Sequence, residues 1–294
     1  MRLSTQTNFY VKNFGYLNGI NRLSKLGYDC LDLTLWHLGK SQDDPLLSDN
    51  FEEIAQKIKE TAQKNGVSFN QCHAPYDFAD RSFFTNPKAK EDMLFRLKRS
   101  IDIAGIIGAE TIVVHPLHGS RYLDKTREQI LEFNVSFYGE LVPAAKKAGV
   151  KIAVENMWRY NPENHQILPD TCADPHEFAL YIDTLNNTFG NYFVACLDIG
   201  HCILTGFSPE YCITVLGRRL KATHFHDNDA VTDSHTLPFT QKIKFEPIMK
   251  TLKNINYQGD LTFEADKFLS GFPLEFCDNA AEFMQKTGRF LINL

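Results

Sequence analysis

The chain has 294 residues, 43% hydrophobic and 23% charged, which supplies enough apolar side chains for a sizeable core and excludes a disordered polymer. Its net charge of −5 and pI near 6.1 exclude the broad basic field that a generic nucleic-acid binder presents. No apolar run approaches the ~20 residues that span a bilayer, and the seven cysteines, odd in number and without a CxxC pair, read as reduced thiols, so a cytoplasmic protein is expected.

Short β-rich runs alternate with longer helical patterns along the whole chain, the pattern of parallel βα units. Eight strands are predicted in order: "LSTQTNF" from Leu3, "CLDLTLW" from Cys30, "SFNQCHA" from Ser68, "TIVVHPL" from Thr111, "KIAVENM" from Lys151, "FVACLDIGH" from Phe193, "LKATHFHDN" from Leu220 and "GDLTFEAD" from Gly259. Between them, residues 50–66, 90–108 and 127–149 carry apolar side chains at helical spacing, with glycines near their C-terminal ends. Two connections look long, Asp77 to Pro87 and Trp158 to Asp174. No Pro/Gly/Ser-rich linker divides the chain, so residues 1–294 are expected to form one (β/α)8 TIM-barrel domain of the α/β class.

In six of the eight strands the apolar stretch ends in a residue able to bind metal: His73, His115, Glu155, Asp198, His226 and Glu264. The C-terminal ends of barrel strands converge on one mouth. Residues two apart share a strand face, so Ala153, Cys196, His224 and Thr262 are expected to point inward with the ligand candidates. Val154, Leu197, Phe225 and Phe263 are expected to pack on the helices. Carboxylates converging without a cation repel one another and are costly to desolvate, so a bound ion is expected there. The stretch "THFHDNDAVTDSH" (223–235) would be the seventh strand and its following loop, bringing further histidines and carboxylates to the mouth. Asp198 with His201 in "LDIGH", and Asp233 with His235 in "DSH", have spacings that permit a shared ligand sphere.

In the order "HAPY", "VVHP", "VEN", "LDIGH", "HFHDND", "DSH" and "FEAD", the chain resembles the xylose-isomerase-like TIM-barrel superfamily. That superfamily contains sugar isomerases, ketose epimerases and the apurinic endonuclease IV family. Resemblance to the endonuclease implies three metals: His73, His115 and Glu155 on one, Glu155, Asp198, His226 and Glu264 on a second, and His201, Asp233 and His235 on a third. Resemblance to the epimerases implies one ion on Glu155, Asp198, His226 and Glu264. Glu155 and Glu264 would then exchange protons with the sugar, and His201 would contact substrate. His226 is preferred to His224 as the ligand because it lies nearer the mouth and matches the "HFH" pattern, with His224 deeper or in contact with substrate. Asp227 and Asp229 are expected to cap the loop or stand in solvent, not to ligate.

Trp36, Tyr76, His118 and Arg159 complete the expected substrate contacts, and Arg121, Lys242 and Lys244 are the other mouth-loop cations. The chain departs from the ketose 3-epimerases at Thr232, where they carry an arginine, and in "ENMWRYN". "HTLPFTQKIKF" lacks a glycine-rich phosphate turn, which favours an unphosphorylated substrate. The expectation is a sugar isomerase or epimerase using one to three zinc, manganese or cobalt ions, acting on a small sugar or polyol, with no membrane or nucleic-acid partner and a homo-oligomer left open. The alternatives are an endonuclease IV-like phosphodiesterase of abasic DNA and a non-catalytic metal-binding barrel.

Overall fold

The computed structural model describes residues 1–39, 43–76 and 86–294. Strands β1 (Leu3–Gln6), β2 (Cys30–Thr34), β3 (Ser68–His73), β4 (Thr111–Val114) and β5 (Lys151–Glu155) come first. A separate antiparallel hairpin follows, β6 (Trp158–Tyr160) with β7 (Ile167–Pro169), and then β8 (Phe193–Asp198), β9 (Leu220–His224) and β10 (Leu261–Phe263). Eight parallel strands run in the order β10-β1-β2-β3-β4-β5-β8-β9. The ring closes where Phe225 bridges Phe263, with Phe225 N donating to Thr262 O at 2.8 Å and Glu264 N to Phe225 O at 3.1 Å. This is a (β/α)8 barrel.

Alternation along the strands divides the apolar residues into two cores. Val154, Leu197, Phe225 and Phe263 belong to the large layer between strands and helices. Val113, Ala153, Val194, Cys196 and Ala222 form a small cluster inside the barrel. Bulky side chains go outward and small ones inward because eight converging strands leave little internal volume. Above this cluster the interior turns polar. Ser4 Oγ donates to Asn70 Oδ1 at 2.8 Å, and Gln71 Nε2 donates to Asp32 Oδ2 at 2.9 Å.

Several boundaries differ from the sequence expectation. The first strand stops at Gln6 and a helix starts at Asn8. The sixth ends at Asp198, whose carboxylate accepts from His201 N at 2.6 Å and so caps the helix Ile199–Leu204. Residues 127–149 form two helices, Arg127–Gly139 and Val142–Ala148, because Pro143 supplies no N–H donor and starts the second. The segment from Trp158 to Asp174 contains the β6–β7 hairpin. Most of the expected Asp77–Pro87 connection lies outside the described residues, and the helix Pro87–Ile107 begins after an Asn86 cap. That helix ends at Gly108, whose φ of 83° suits a residue without a side chain. No described helix is long and apolar enough to cross a membrane.

Candidate metal centre

Three short polar clusters meet at the C-terminal mouth. His73, at the end of β3, and His115, just past β4, approach Glu155 at the end of β5. His115 Nε2 lies 3.1 Å and His73 Nε2 3.5 Å from Glu155 Oε2. Beside them, the nearest donor atoms of Glu155, Asp198, His224 and Glu264 all fall within 4.8 Å of one another. A third group joins His201, His226, Asp233 and His235 within the same limit.

The histidine tautomers are set by the main chain. His73 Nδ1 lies 2.9 Å from Ala74 O, His201 Nδ1 2.8 Å from Asn156 O, and His235 Nδ1 3.0 Å from Glu264 O. A carbonyl oxygen only accepts, so in each ring Nδ1 carries the proton and donates it. Each Nε2 is turned toward the cluster: His73 toward Glu155, His201 to 3.7 Å from Asp233 Oδ2, and His235 to 3.0 Å from the same oxygen. A metal-binding imidazole is oriented in just this way, by a hydrogen bond at its other nitrogen.

The two histidines of the seventh strand meet different partners. His224 Nδ1 sits 2.6 Å from Glu264 Oε2 and 3.0 Å from Glu155 Oε1, whereas His226 Nε2 lies 3.0 Å from Asp198 Oδ1. His226 also stacks on His235 with ring centroids 4.1 Å apart. The donor atoms group His224 with the two glutamates, and His226, which also meets Asp198, with the His201–Asp233–His235 set. The strand register accounts for it: Asp198 pairs with His224 after a bulge at Ala195/Cys196, and His226 stands one inward position higher. His224 was also a candidate substrate contact, but it is fully buried and lies beneath the cavity.

The donor set fits a divalent cation. Among the described residues, Glu155 Oε2, Asp198 Oδ2, Asp233 Oδ1, His115 Nδ1 and His226 Nδ1 are buried without a hydrogen-bond partner, a costly state for oxygens and nitrogens that an ion can satisfy. Burial, opposed by Glu155, pushes His115 down to about 4, so it is a neutral imidazole ready to ligate. Burial alone would lower His235, but the Asp233 carboxylate outweighs it and raises the ring to about 9. His224 and His201 are likewise raised despite burial, His224 by Cys196, Glu264 and Glu155 and His201 by Asp198 and Asp233. Glu155, Asp233 and Glu264 are held below the carboxylate range by those imidazoles, against the opposing effect of burial. Without a cation, protonated imidazoles supply the positive charge that the carboxylates require.

A cavity of about 560 Å³ opens over this cluster, with Glu155, Glu264, His201, Asp233 and His235 on its floor. Of the expected substrate contacts, Tyr76, His118 and Arg159 line it. Tyr76 stacks on His115 with centroids 4.5 Å apart, and His118 Nδ1 is 3.7 Å from Asp170 Oδ2. Trp36 stands behind the lining, edge-on to His73 at 5.3 Å and Tyr76 at 5.9 Å, so it supports those rings and is not itself the cavity wall. Asp227 is buried and accepts from three backbone amides (Asn228, Gln241 and Ile243), the expected loop-organising role.

Sequence reasoning missed five residues of the site. Met157 and Trp158 line the cavity. Asn156 accepts from Asp198 N at 2.8 Å and donates to Asp198 O at 3.0 Å, clamping the ends of β5 and β8 together. Asp32 and Gln71 extend below His224, whose Nε2 is 3.1 Å from Gln71 Nε2; burial raises Asp32 to about 6, opposed by His224. Asp32 is an acidic residue in the middle of an apolar strand, a signal that was available.

Residues 20–286 match the family model described as xylose isomerase-like TIM barrel. Uncharacterized proteins of Sinorhizobium fredii and Methanocaldococcus jannaschii are each 28% identical, over 170 and 194 residues. Those stretches cover 57% and 65% of this chain but 51% and 62% of the relatives' own lengths. A D-tagatose 3-epimerase-like protein superposes with a TM-score of 0.73 at 18% identity, over 100% of this chain and 98% of its own. D-psicose 3-epimerase in the presence of D-fructose gives 0.73 at 15% identity with both chains fully covered. An IOLI protein with a binding zinc atom gives 0.70 at 17%, over 100% and 98%. At these identities the structural likeness establishes the barrel.

Proposed function

The chain belongs to the xylose isomerase-like TIM barrel family, and we propose that it is a divalent-metal-dependent isomerase or epimerase of a ketose, aldose or related polyol. The observation that carries this reading is the donor set: histidines with Nδ1 tied to main-chain carbonyls and Nε2 facing buried carboxylates, beneath a cavity of about 560 Å³. The epimerases and the zinc-containing protein that share its fold point the same way.

Glu155, Asp198 and Glu264, with His224 or His226, would hold the ion; the other donor groups leave room for up to three. Zinc, manganese and cobalt all suit histidine with carboxylate. When bound, a divalent ion supplies Lewis-acid polarisation of adjacent hydroxyl and carbonyl oxygens. The chain's own groups move the protons. Glu155 and Glu264 are ionised carboxylates within 4.8 Å of each other, so one can take a proton from the carbon beside the carbonyl. Return of that proton to the neighbouring carbon, with the hydroxyl proton passing to the former carbonyl oxygen, gives isomerisation; epimerisation requires the other carboxyl to enter the reaction protonated and to deliver its proton to the opposite face of the same carbon. His201, fixed by Asn156 O, turns Nε2 toward the cavity, where it can hydrogen-bond a substrate oxygen.

The donor groups beyond the Glu155 quartet are more than such chemistry needs, and this favours a second reading, a phosphodiesterase of abasic DNA. Against it, among the described residues Arg121 and Arg159 are the only arginines or lysines lining the cavity, in a chain of net charge −5. A non-catalytic metal-binding barrel ranks third. The seven buried, unbridged cysteines support a reducing, cytoplasmic setting.

The test is solvent-deuterium incorporation into a panel of ketoses and aldoses by protein loaded with manganese, cobalt or zinc. Label in at least one sugar is expected. A blank panel together with cleavage of abasic duplex DNA would reverse the two readings.

A further inference from the structure

Away from the mouth, the outer surface carries an apolar patch that the site does not use. Phe276 precedes the helix Cys277–Asn293, and Phe283 and Phe290 follow along it at seven-residue spacing; the three are 49%, 57% and 58% exposed. Seven residues are close to two helical turns, so the three positions form one stripe, about 21 Å from first to last. Neighbouring segments widen it. Phe268 meets Phe283 with ring centroids 6.3 Å apart, and Phe272 meets Phe268 at 5.2 Å and Phe276 at 5.7 Å. At the other end Phe239, 51% exposed, meets Phe290 at 5.8 Å. Rings in contact thus join three separate parts of the chain into one surface. By contrast, the exposed Phe95 lies under the Arg99 guanidinium, 5.2 Å from its ring.

Single apolar side chains are ordinary on a protein surface, whereas a contiguous patch of several hundred Å² marks a contact. A phenylalanine buries ~150–250 Å² when fully covered, so the four half-exposed rings offer roughly 400 Å², and the exposed Leu274 adds to them. A standard interface buries ~800 Å² on each partner, a little over half of it apolar. The patch supplies that apolar share. Charge on the same helix selects the partner. Asp278 and Glu282 are balanced by Lys286 and Arg289, and each is already in an ion pair within the chain: Lys286 with Glu282 at 2.8 Å, Arg289 with Asp29 at 2.6 Å and Asp278 with Arg22 at 2.9 Å. A helix that lies on a membrane carries an excess of Lys and Arg on its polar face, and a strongly charged protein partner would require an opposite excess here. Balanced, internally paired charge suits the same surface on a second copy. The stripe is also symmetric about its middle ring, so a two-fold axis through Phe283 sets Phe276 of one copy toward Phe290 of the other, as an isologous contact requires. We propose that this patch is the interface of a homodimer centred on Phe283.

The test is sedimentation equilibrium of the purified protein with its bound metal. A dimer with a Kd in the micromolar range or tighter is expected, the strength an interface of this size reaches. Phe283→Lys places an unpaired charge at the centre of the contact and should raise that Kd by at least ~30-fold, the loss typical of a central anchor. Phe290→Lys should act in the same direction. Leu180→Lys, at a residue 54% exposed on the helix Pro175–Phe189, should leave the dimer unchanged. Unaltered circular dichroism and metal content in each variant show that the fold is intact. A monomer at every concentration, a dimer that survives both phenylalanine substitutions, or one that Leu180→Lys dissociates as well, overturns the proposal. A monomer that co-sediments with vesicles of phosphatidylcholine and phosphatidylglycerol assigns the patch to a membrane surface and overturns it too.

Discussion

Gly200, in "LDIGH", offers a test in which two physical effects predict opposite signs. It lies in the helix Ile199–Leu204, so replacing it with alanine should stabilise that helix by ~0.5–1 kcal/mol on propensity alone. The structure predicts the reverse. A Cβ at this position would lie 2.7 Å from His226 Nδ1 and closer still to Cε1 and Nε2, against an optimum of ~3.5–4.0 Å. The ring cannot simply retreat, because it is fully buried, stacked on His235 at 4.1 Å, and held 3.0 Å from Asp198 Oδ1. Overpacking of this kind costs ~1–3 kcal/mol, leaving a net loss of up to ~2 kcal/mol, or a few degrees of melting temperature at ~2–4 °C per kcal/mol. Displacing His226 from Asp198 should also reduce bound metal. Thermal melts and metal analysis on Gly200→Ala, His226→Ala and the double variant form the assay. In the His226→Ala background the clash is gone, so Gly200→Ala should become neutral or stabilising. If Gly200→Ala alone raises the melting temperature and keeps its metal, the packing of His226 over Gly200 is refuted.

Chelated and metal-loaded protein should respond to pH in opposite directions. The Asp233-paired His235, raised from an ordinary 6.5 to about 9, contributes stability to the metal-free protein that is complete below pH 6.5 and lost as pH rises through 9. Ligation needs the neutral ring, so stabilisation by added zinc should grow across that same window, and melts in both states from pH 6 to 10 would show parallel curves if these histidines were not ligands. Glu264→Gln keeps the side-chain shape but removes its basicity, so turnover of the exchanged sugar should fall by at least ~100-fold with most metal retained. Near-normal turnover would take Glu264 out of the mechanism.

The barrel was legible because its strands obey a period of two, and every bulky outward residue, from Val154 to Phe263, found the helix layer. Boundaries were less legible where one residue serves two elements: Asp198 ends β8 as a candidate ligand and caps the next helix through His201 N, so no break in pattern marks the change. The β6–β7 hairpin was missed because strands of three residues are too short to display alternation. Its omission mattered, since it carries Trp158 and Arg159 into the cavity. The division of labour between His224 and His226 has a deeper cause. Both share inward parity, so periodicity assigns them the same face and says nothing about height. Height in a barrel comes from the stagger between neighbouring strands. Here the pairing of Asp198 with His224, reached only after the bulge at Ala195/Cys196, brings His224 down between Glu155 and Glu264 and lifts His226 over Gly200. A one-residue shift in that register would turn both histidines away from the interior. The grouping of donors into candidate ion sites is thus a property of strand register, which local sequence does not encode, whereas the supply of donors to the mouth is a property of composition and period, which it does.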